Sequence, residues 1–454
     1  MAQLNSNPNL MISVSGIRGR IPEGLFLENS LNFINSFIET LNPKSVIIGR
    51  DSRPSGIFLE NFVTGILLSK GIRAVNLGLV PTPTVKSVVK ETNSSGGIMI
   101  SASHNPIDWN AFKLIGKNGF FFGPSQMEIF KEHSVRMDFR PPLFNPKAKV
   151  LSDPAYIRLH IESVLKRVNV PKIRKKKFRV FLDAVNGGGS KVVPMLLEEL
   201  GCKVYPLYCE GEGGFPREPE PTPKALEKTA KQMRKTDAQI GFALDPDADR
   251  LVLLTPERGC ISEEYTLPLS LLSVLPGNRN TVVTNLSSSF ITEKVASEFG
   301  KIVLRSKVGE ANVVAEMLNA RSMFGGEGNG GVIDPEISSF GRDSLAGIAH
   351  ILNVLAEKNQ SIDSLLDEMP EIHMEKTSYS VKDRNLSEIL LKFKTSFPSK
   401  KIDERDGLWM DLGGKWIHLR ASNTEPIIRL IGEAETERDL KEMMKRSSQV
   451  IAGE

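Results

Sequence analysis

The strongest constraint on this 454-residue chain is an alternation repeated along most of its length. Short β-branched runs ending in Gly, Asp, Asn or Ser are each followed by a longer amphipathic stretch. The runs are Ser45 to Ile48, Gly97 to Ser101, Arg179 to Asp183, Gln239 to Asp245, Thr281 to Asn285 and Lys301 to Arg305. Strands that alternate with helices build parallel or mixed sheets, the α/β class. The first run stops at Gly49-Arg50-Asp51, and the stretch after it carries Phe58, Phe62 and Ile66 at i, i+4, i+8 spacing on one predicted helix face. The Pro-rich stretch Arg140 to Pro146 interrupts regular structure. The basic run Lys172 to Lys177 reads as a solvated surface turn ahead of a new α/β segment. From Glu371 to Lys382 the pattern becomes polar–apolar alternation, opening a small α+β unit. Length alone suggests roughly three domains at about 150 residues each. The segmentation gives four, at 1–150, 151–255, 256–370 and 371–454, with no exact repeat.

Composition narrows the function. Lys and Arg number 58 against 54 Asp and Glu, a net +4 too near balance for a dedicated nucleic-acid binder. With 40% hydrophobic and 25% charged residues, the chain is neither disordered nor fibrous. No apolar run reaches the roughly 18 residues of a membrane span. The opening MAQLNSNPNL lacks the basic and apolar regions of a secretory signal. Cys202, Cys209 and Cys260 are odd in number and at no metal-ligand spacing, so reduced thiols in a cytoplasmic protein are expected.

Four loops carry chemistry. Ser101-Ala102-Ser103-His104-Asn105-Pro106 follows a predicted strand, and the carboxyl ends of strands are where open α/β sheets bind ligands. It suits either an ordinary polar turn or a hydroxyl nucleophile or phosphate carrier. It lacks the G-x-S-x-G spacing of a hydrolase elbow. Asp245-Pro246-Asp247-Ala248-Asp249-Arg250 also follows an apolar strand. Three adjacent carboxylates repel unless a cation offsets them, and their oxygens can converge on a hard ion such as Mg²⁺. An EF-hand is excluded, because its sixth and twelfth positions are here Arg250 and Pro256. Gly325-Gly326-Glu327-Gly328-Asn329-Gly330-Gly331 is either a structural glycine turn or a loop whose Glu327 and Asn329 meet sugar hydroxyls. It opens no helix, so it is not a dinucleotide fingerprint. Arg420-Ala421-Ser422-Asn423-Thr424-Glu425-Pro426, with Arg429 shortly after, is either a polar turn or a phosphate site. There is no P-loop and no H-E-x-x-H zinc pair.

Taken together and in this order, the loops resemble those of the α-D-phosphohexomutase superfamily, over nearly the whole chain from Ser15-Gly16-Ile17-Arg18-Gly19 to the Arg420 loop. The phosphoserine motif T/S-A-S-H-N-P is matched by Ser101 to Pro106, including His104. The metal motif D-G-D-x-D-R is matched at Asp245, Asp247, Asp249 and Arg250, with Pro246 in place of Gly. The phosphate motif R-x-S-N/G-T-E-P is matched at Arg420, Ser422, Asn423, Thr424 and Glu425. Lys113 matches the lysine usually ten residues past the serine, with Ala111 where Gly is usual. The sugar loop departs from the common G-E-x-S-G-H, having Asn329 for Ser and Gly331 for His. Its E-G-N-G-G form and the Arg217 to Pro221 segment resemble archaeal-type members, often called phosphoglucosamine mutases or phosphomannomutases.

The resemblance implies three related α/β domains with mixed sheets and a C-terminal α+β domain, TATA-binding-protein-like, around a central cleft. It implies a monomer or homodimer that isomerises a phosphosugar, with glucosamine phosphate favoured over mannose or glucose phosphate. Ser103 would carry the phosphoryl group and pass it through a bisphosphate intermediate, with a hexose 1,6-bisphosphate as activator. Mg²⁺ would be held by Asp245, Asp247, Asp249 and a phosphoserine oxygen. Arg18 and Arg250 would add charge, with His104 beside the serine. Lys113 would be the acid/base partner, its pKa lowered by neighbouring cations. Glu327 and Asn329 would hold the sugar, with Lys307 a further contact. Arg420, Ser422, Asn423, Thr424 and Arg429 would take the phosphate that is not reacting. A metal-dependent sugar phosphatase and a non-catalytic sugar-phosphate sensor are the rival classes.

Overall fold

The computed structural model describes residues 7–13, 16–136, 145, 148–275, 281–380, 385–421 and 427–452. Each predicted β-branched run lies on a strand: Ser45–Arg50, Gly96–Ile100, Arg179–Asp183, Ile240–Leu244, Thr281–Asn285 and Ile302–Ser306. These strands belong to three sheets that share one plan. In the first sheet, Arg73–Leu79, Ser45–Arg50 and Gly96–Ile100 run parallel, and Trp109–Ile115 returns antiparallel beside the last of them. In the second, Lys203–Leu207, Arg179–Asp183 and Ile240–Leu244 are parallel and Leu251–Thr255 returns. In the third, Ile302–Ser306, Thr281–Asn285 and Gly325–Glu327 are parallel and Gly331–Ile333 returns. The connection from the third parallel strand to its return therefore lies at a carboxyl end each time. Those connections are Ser101 to Asp108, Asp245 to Arg250, and Gly328 to Gly330. The repeat lies in topology, where the sequence shows none.

The final unit is built differently. Its five strands are wholly antiparallel, in the order His373–Ser380, Ile427–Ala434, Lys415–Ala421, Leu408–Asp411 and Lys401–Asp403. Helices Leu386–Ser396 and Glu437–Ala452 bury Phe393, Leu440 and Met443 with Ile417, Leu419 and Leu430 of the sheet.

One core joins the first three units. Val85 and Val89 from the helix Thr82–Glu91, Phe242 and Leu244 from the second sheet, and Ile348 and Leu352 from the helix Ser344–Lys358 belong to a single buried cluster. Two sequence expectations need correction. The helix Pro54–Ser69 buries Leu59, Val63, Ile66 and Leu67, while Phe58 is 49% exposed. Its buried stripe is turned one residue from the predicted face, because the sheet takes the β-branched and Leu side and leaves Phe58 stacked on Phe62. The basic run is a short helix, Val170–Lys176, anchored by buried Ile173, with Lys172 paired to Glu357. Of the Pro-rich stretch only Asn145 is described, and Lys382 also lies outside the described residues. Among the described residues no helix is long and apolar enough to cross a membrane.

Phe242 is wholly buried in the shared core. Phe242→Ala should cost about 3–5 kcal/mol, read as a lowered urea midpoint, with fluorescence probes in more than one unit shifting together.

Candidate active site

The serine loop is held from behind by two groups that the sequence did not single out. Asp51 and Arg53 are both fully buried and paired with each other. Arg53 Nη2 donates to the carbonyls of Ser103, at 2.7 Å, and Asn105, at 2.5 Å. Ser101 Oγ donates to Asp51 and accepts the Ser103 N–H at 3.0 Å. These bonds hold Ser103 at φ 51°, a left-handed conformation that costs a non-glycine residue about 1–3 kcal/mol unless its surroundings enforce it. The result is an Oγ that donates to Asp245 Oδ2 at 2.9 Å. The serine and aspartate loops, remote in sequence, thus meet.

The aspartate loop turns tightly through Ala248 at φ 51°. Asp245 Oδ1 accepts the N–H groups of Asp249 and Arg250, each at 3.1 Å. Asp247 accepts from Lys113 Nζ and Thr82 Oγ1, and Asp249 Oδ2 accepts from Arg342 Nη2 at 2.6 Å. Asp245, Asp247 and Asp249 offer oxygens within 4.8 Å of one another, all buried. Oδ1 of Asp247 and Oδ1 of Asp249 are buried and, among the described residues, without a hydrogen-bond partner. Burial, and then the neighbouring Asp249 and Asp247 charges, push the Asp245 carboxyl well above the usual carboxylate range. Burial also raises Asp249. Asp247 is buried too, yet the Lys113 ammonium holds it below that range. Two open oxygens and two destabilised charges, all on hard donors, fit a divalent cation that keeps positions for other ligands. The charged group bonded to Lys113 is thus the anion Asp247, whereas cations were expected around it.

Arg18 Nη1 donates to Asn105 Oδ1 at 2.7 Å. Arg250 reaches His104 Nδ1 at 3.2 Å and Glu220 at 2.9 Å. Burial, with help from Arg250 and Arg18, pushes the His104 imidazole down to about 2. His104 is therefore neutral at physiological pH and accepts from Arg250 through Nδ1.

Glu327 closes the strand Gly325–Glu327. Its Oε1 accepts from Asn285 Nδ2 at 2.8 Å and the Gly309 N–H at 2.9 Å. Its Oε2 accepts from Arg342 Nη1 at 2.9 Å and faces Asn329 Nδ2 at 3.5 Å. Lys307 is exposed and does not line the cleft, whereas Val308 to Asn312 do. In the last sheet Arg420 and Arg429 face each other in register. Two guanidinium groups directly opposite repel, which favours an anion between them. Arg420 Nε is buried and, among the described residues, without a hydrogen-bond partner, with Asp406 Oδ2 at 3.7 Å. Ser422, Asn423, Thr424 and Glu425 lie outside the described residues, as does Ser15. Ser103, Asp249, Glu327 and Arg420, one from each unit, line a single cleft of about 430 Å³.

Four family models match in succession. They describe phosphoglucomutase/phosphomannomutase α/β/α domains I, II and III, at residues 10–139, 158–259 and 268–372, and the C-terminal domain, at 389–448. The chain belongs to the phosphoglucomutase/phosphomannomutase family. Membership makes it a phosphohexomutase, an isomerase. It is 33% identical to the phosphoglucomutase/phosphomannomutase of Thermococcus kodakarensis, over 95% of this chain and 96% of that one. It is 30% identical to the phosphoglucosamine/phosphogalactosamine mutase of Sulfurisphaera tokodaii, over 98% and 99%. A Burkholderia thailandensis family structure shares the fold with a TM-score of 0.83 at 23% identity, covering 98% of both chains.

Besides Asp51 and Arg53, sequence reading of this phosphohexomutase missed Thr82, Glu310 and Arg342. Asp51 was findable by the strand-end rule that located Ser101. Thr82, Glu310 and Arg342 carry no local pattern and reach the cleft only through domain packing.

Arg53→Ala would leave Asp51 buried and unpaired, so it should destabilise by about 3–5 kcal/mol and lower turnover, read by urea unfolding and by assay. His418, beside the Arg420 strand end, meets Ser287 Oγ at 2.8 Å and the Asp406 carbonyl at 2.7 Å. Burial pushes its imidazole down to about 4. The unfolded chain, titrating near 6.5, then binds more protons between those values, so this group's stability contribution is lost as pH falls from 6.5 towards 4. The ring should titrate near 4 by NMR, and His418→Gln should flatten the stability profile in that window.

Proposed function

We propose that the enzyme interconverts hexose 1-phosphates and 6-phosphates through phosphorylated Ser103 and a bound bisphosphate, with glucosamine phosphate as the preferred substrate. The observation that carries this reading is the 2.9 Å contact of Ser103 Oγ with Asp245, inside a buried carboxylate trio. Asp245, Asp247 and Asp249 would hold Mg²⁺, which supplies positive charge to offset that of the transferring phosphoryl group. Arg18 and Arg250 add charge at the same end of the cleft. Lys113 is the acid/base partner. When the phosphoryl group leaves for a sugar hydroxyl, the Ser103 O–P bond breaks and a sugar O–P bond forms. Oγ takes a proton from the Lys113 ammonium, and the proton lost by the sugar hydroxyl restores that ammonium. Arg420 and Arg429 orient the phosphate that is not reacting, and Ser422, Asn423 and Thr424, which match the family's phosphate motif, would add donors to it. Glu327 and Asn329 meet the sugar hydroxyls, whereas Lys307, outside the cleft lining, takes no part. A hexose 1,6-bisphosphate would recharge Ser103 after loss of the intermediate.

The glucosamine preference draws on the Sulfurisphaera tokodaii relative, whose name carries that amino sugar and which aligns over nearly the whole chain. We place the four domains at 1–150, 151–255, 256–370 and 371–454, each contributing one loop. We further propose a cytoplasmic monomer or homodimer; its three cysteines are free, as in a reducing compartment.

The test supplies glucosamine, mannose and glucose 1-phosphates with Mg²⁺ and glucose 1,6-bisphosphate, and follows both 6-phosphate and inorganic phosphate. Isomerisation without phosphate release, fastest on glucosamine 1-phosphate, is expected. Stoichiometric phosphate release would identify a phosphatase, and binding without turnover a sensor. Ser103→Ala should remove turnover by at least a factor of about 10³, the scale of losing a covalent nucleophile, with an unchanged circular dichroism spectrum. Substantial residual isomerisation would exclude Ser103 as the phosphoryl carrier.

A further inference from the structure

Arg342 has no assigned part in the scheme above, yet it touches more of the cleft's charge than any group named there. Its Nη2 donates to Asp249 Oδ2 at 2.6 Å and its Nη1 to Glu327 Oε2 at 2.9 Å. Its Nε lies 3.3 Å from Glu310 Oε2. One guanidinium therefore spans the metal loop of the second sheet and the sugar loop of the third. A planar fork can hold two carboxylates in fixed relation, which an ammonium cannot.

Two features show that the position is built. Arg342 is followed by Asp343, whose Oδ1 caps the helix Ser344–Lys358 through the N–H groups of Leu345, at 2.9 Å, and Ala346, at 3.3 Å. Asp343 Oδ2 also meets His160 Nε2 at 2.8 Å, so the backbone beside Arg342 is fixed from two sides. Glu310 is held in turn by Lys86, a buried residue of the first unit, at 2.8 Å. The second feature is Gly331. A Cβ there would overlap Cδ of Arg342 and stand 2.7 Å from its Cγ. The arginine stem occupies the room that any side chain at 331 would need.

We propose that Arg342 is a positioning residue that couples the metal loop to the sugar loop. By holding Oδ2 of Asp249 it leaves Oδ1, which accepts no hydrogen bond among the described residues and has Arg250 Nε at 3.9 Å, open to the cation. By holding Oε2 of Glu327 it sets the carboxylate that reads the sugar. A change at Glu327 then alters how strongly the guanidinium pulls on Asp249, and so alters cation binding; by linkage the reverse holds. Gly331 is the condition for this link. The inference rests on the reading of Asp245, Asp247 and Asp249 as cation ligands and of Glu327 as a sugar contact.

The test needs no turnover. Magnesium alone is titrated by calorimetry into the full-length wild type, Glu327→Gln, Arg342→Gln and the double variant. In the wild-type background, Glu327→Gln should weaken magnesium about fivefold or more, the scale of a coupling between sites, because Arg342 then competes harder for Asp249. In the Arg342→Gln background the same change should move affinity by less than about twofold. An equal effect in both backgrounds would show a through-space field, and no effect in the wild type would show no link; either overturns the inference. If Arg342→Gln fails to fold, Arg342→Lys carries the cycle, keeping the charge but losing the two-carboxylate bridge. Gly331→Ala, which displaces the arginine stem, should abolish the Glu327→Gln effect as Arg342→Gln does; an undiminished effect in Gly331→Ala would also count against the proposal. Wild-type protein that binds no magnesium would overturn the metal reading itself, whereas magnesium binding with an uncoupled cycle overturns only the role of Arg342.

Discussion

Three carboxylates buried side by side are the constraint on which the remaining structure depends. Charge without water around it costs several kcal/mol per ion unless it is paired. The aspartate loop supplies backbone N–H groups to Asp245 and its own Arg250 guanidinium, 3.9 Å from Asp249 Oδ1. The closer compensating cations come from elsewhere: Lys113 from a strand of the first sheet and Arg342 from beside the third. Thr82 of the first unit adds a hydroxyl to Asp247 and an N–H, at 2.9 Å, to its carbonyl. The same electrostatic need that suits the loop to a divalent ion therefore draws three units together at the cleft.

The repeated sheet plan explains why one cleft can serve so many roles. Each unit offers the connection between its third parallel strand and the antiparallel return, and each offers it at a carboxyl end. Short connections at that position expose polar side chains while the strands behind them stay apolar and buried. The first carries a hydroxyl, the second carboxylates and the third glycines with an acid and an amide. Division of labour follows from loop chemistry on a common frame. The last sheet breaks the plan and brings two arginines opposite one another from adjacent antiparallel strands, an arrangement suited to holding charge rather than moving it.

The loops were legible because their chemistry is local. Ser103, the aspartate trio, Glu327 and Arg420 each sit in a short string of polar residues directly beyond an apolar run, and that adjacency survives folding. The strands were legible for a related reason, since buried parallel strands read as continuous β-branched stretches. What failed was anything fixed by a neighbour. The buried face of Pro54–Ser69 is set by the sheet it covers, so spacing alone put Phe58 on the wrong side. Lys113 was given cations for company, whereas its bonded neighbour is a carboxylate from another sheet.

The sequence by itself determined the α/β class, the order of the four loops and the types of group they carry, because periodicity and motif chemistry are properties of adjacent residues. Only the tertiary structure decided that Asp51 and Arg53 brace the serine and that one arginine joins the metal loop to the sugar loop. It alone made Gly331 the space that arginine needs. These facts depend on charges tens to hundreds of residues apart being buried against one another, and burial is what turns a remote carboxylate into a required partner.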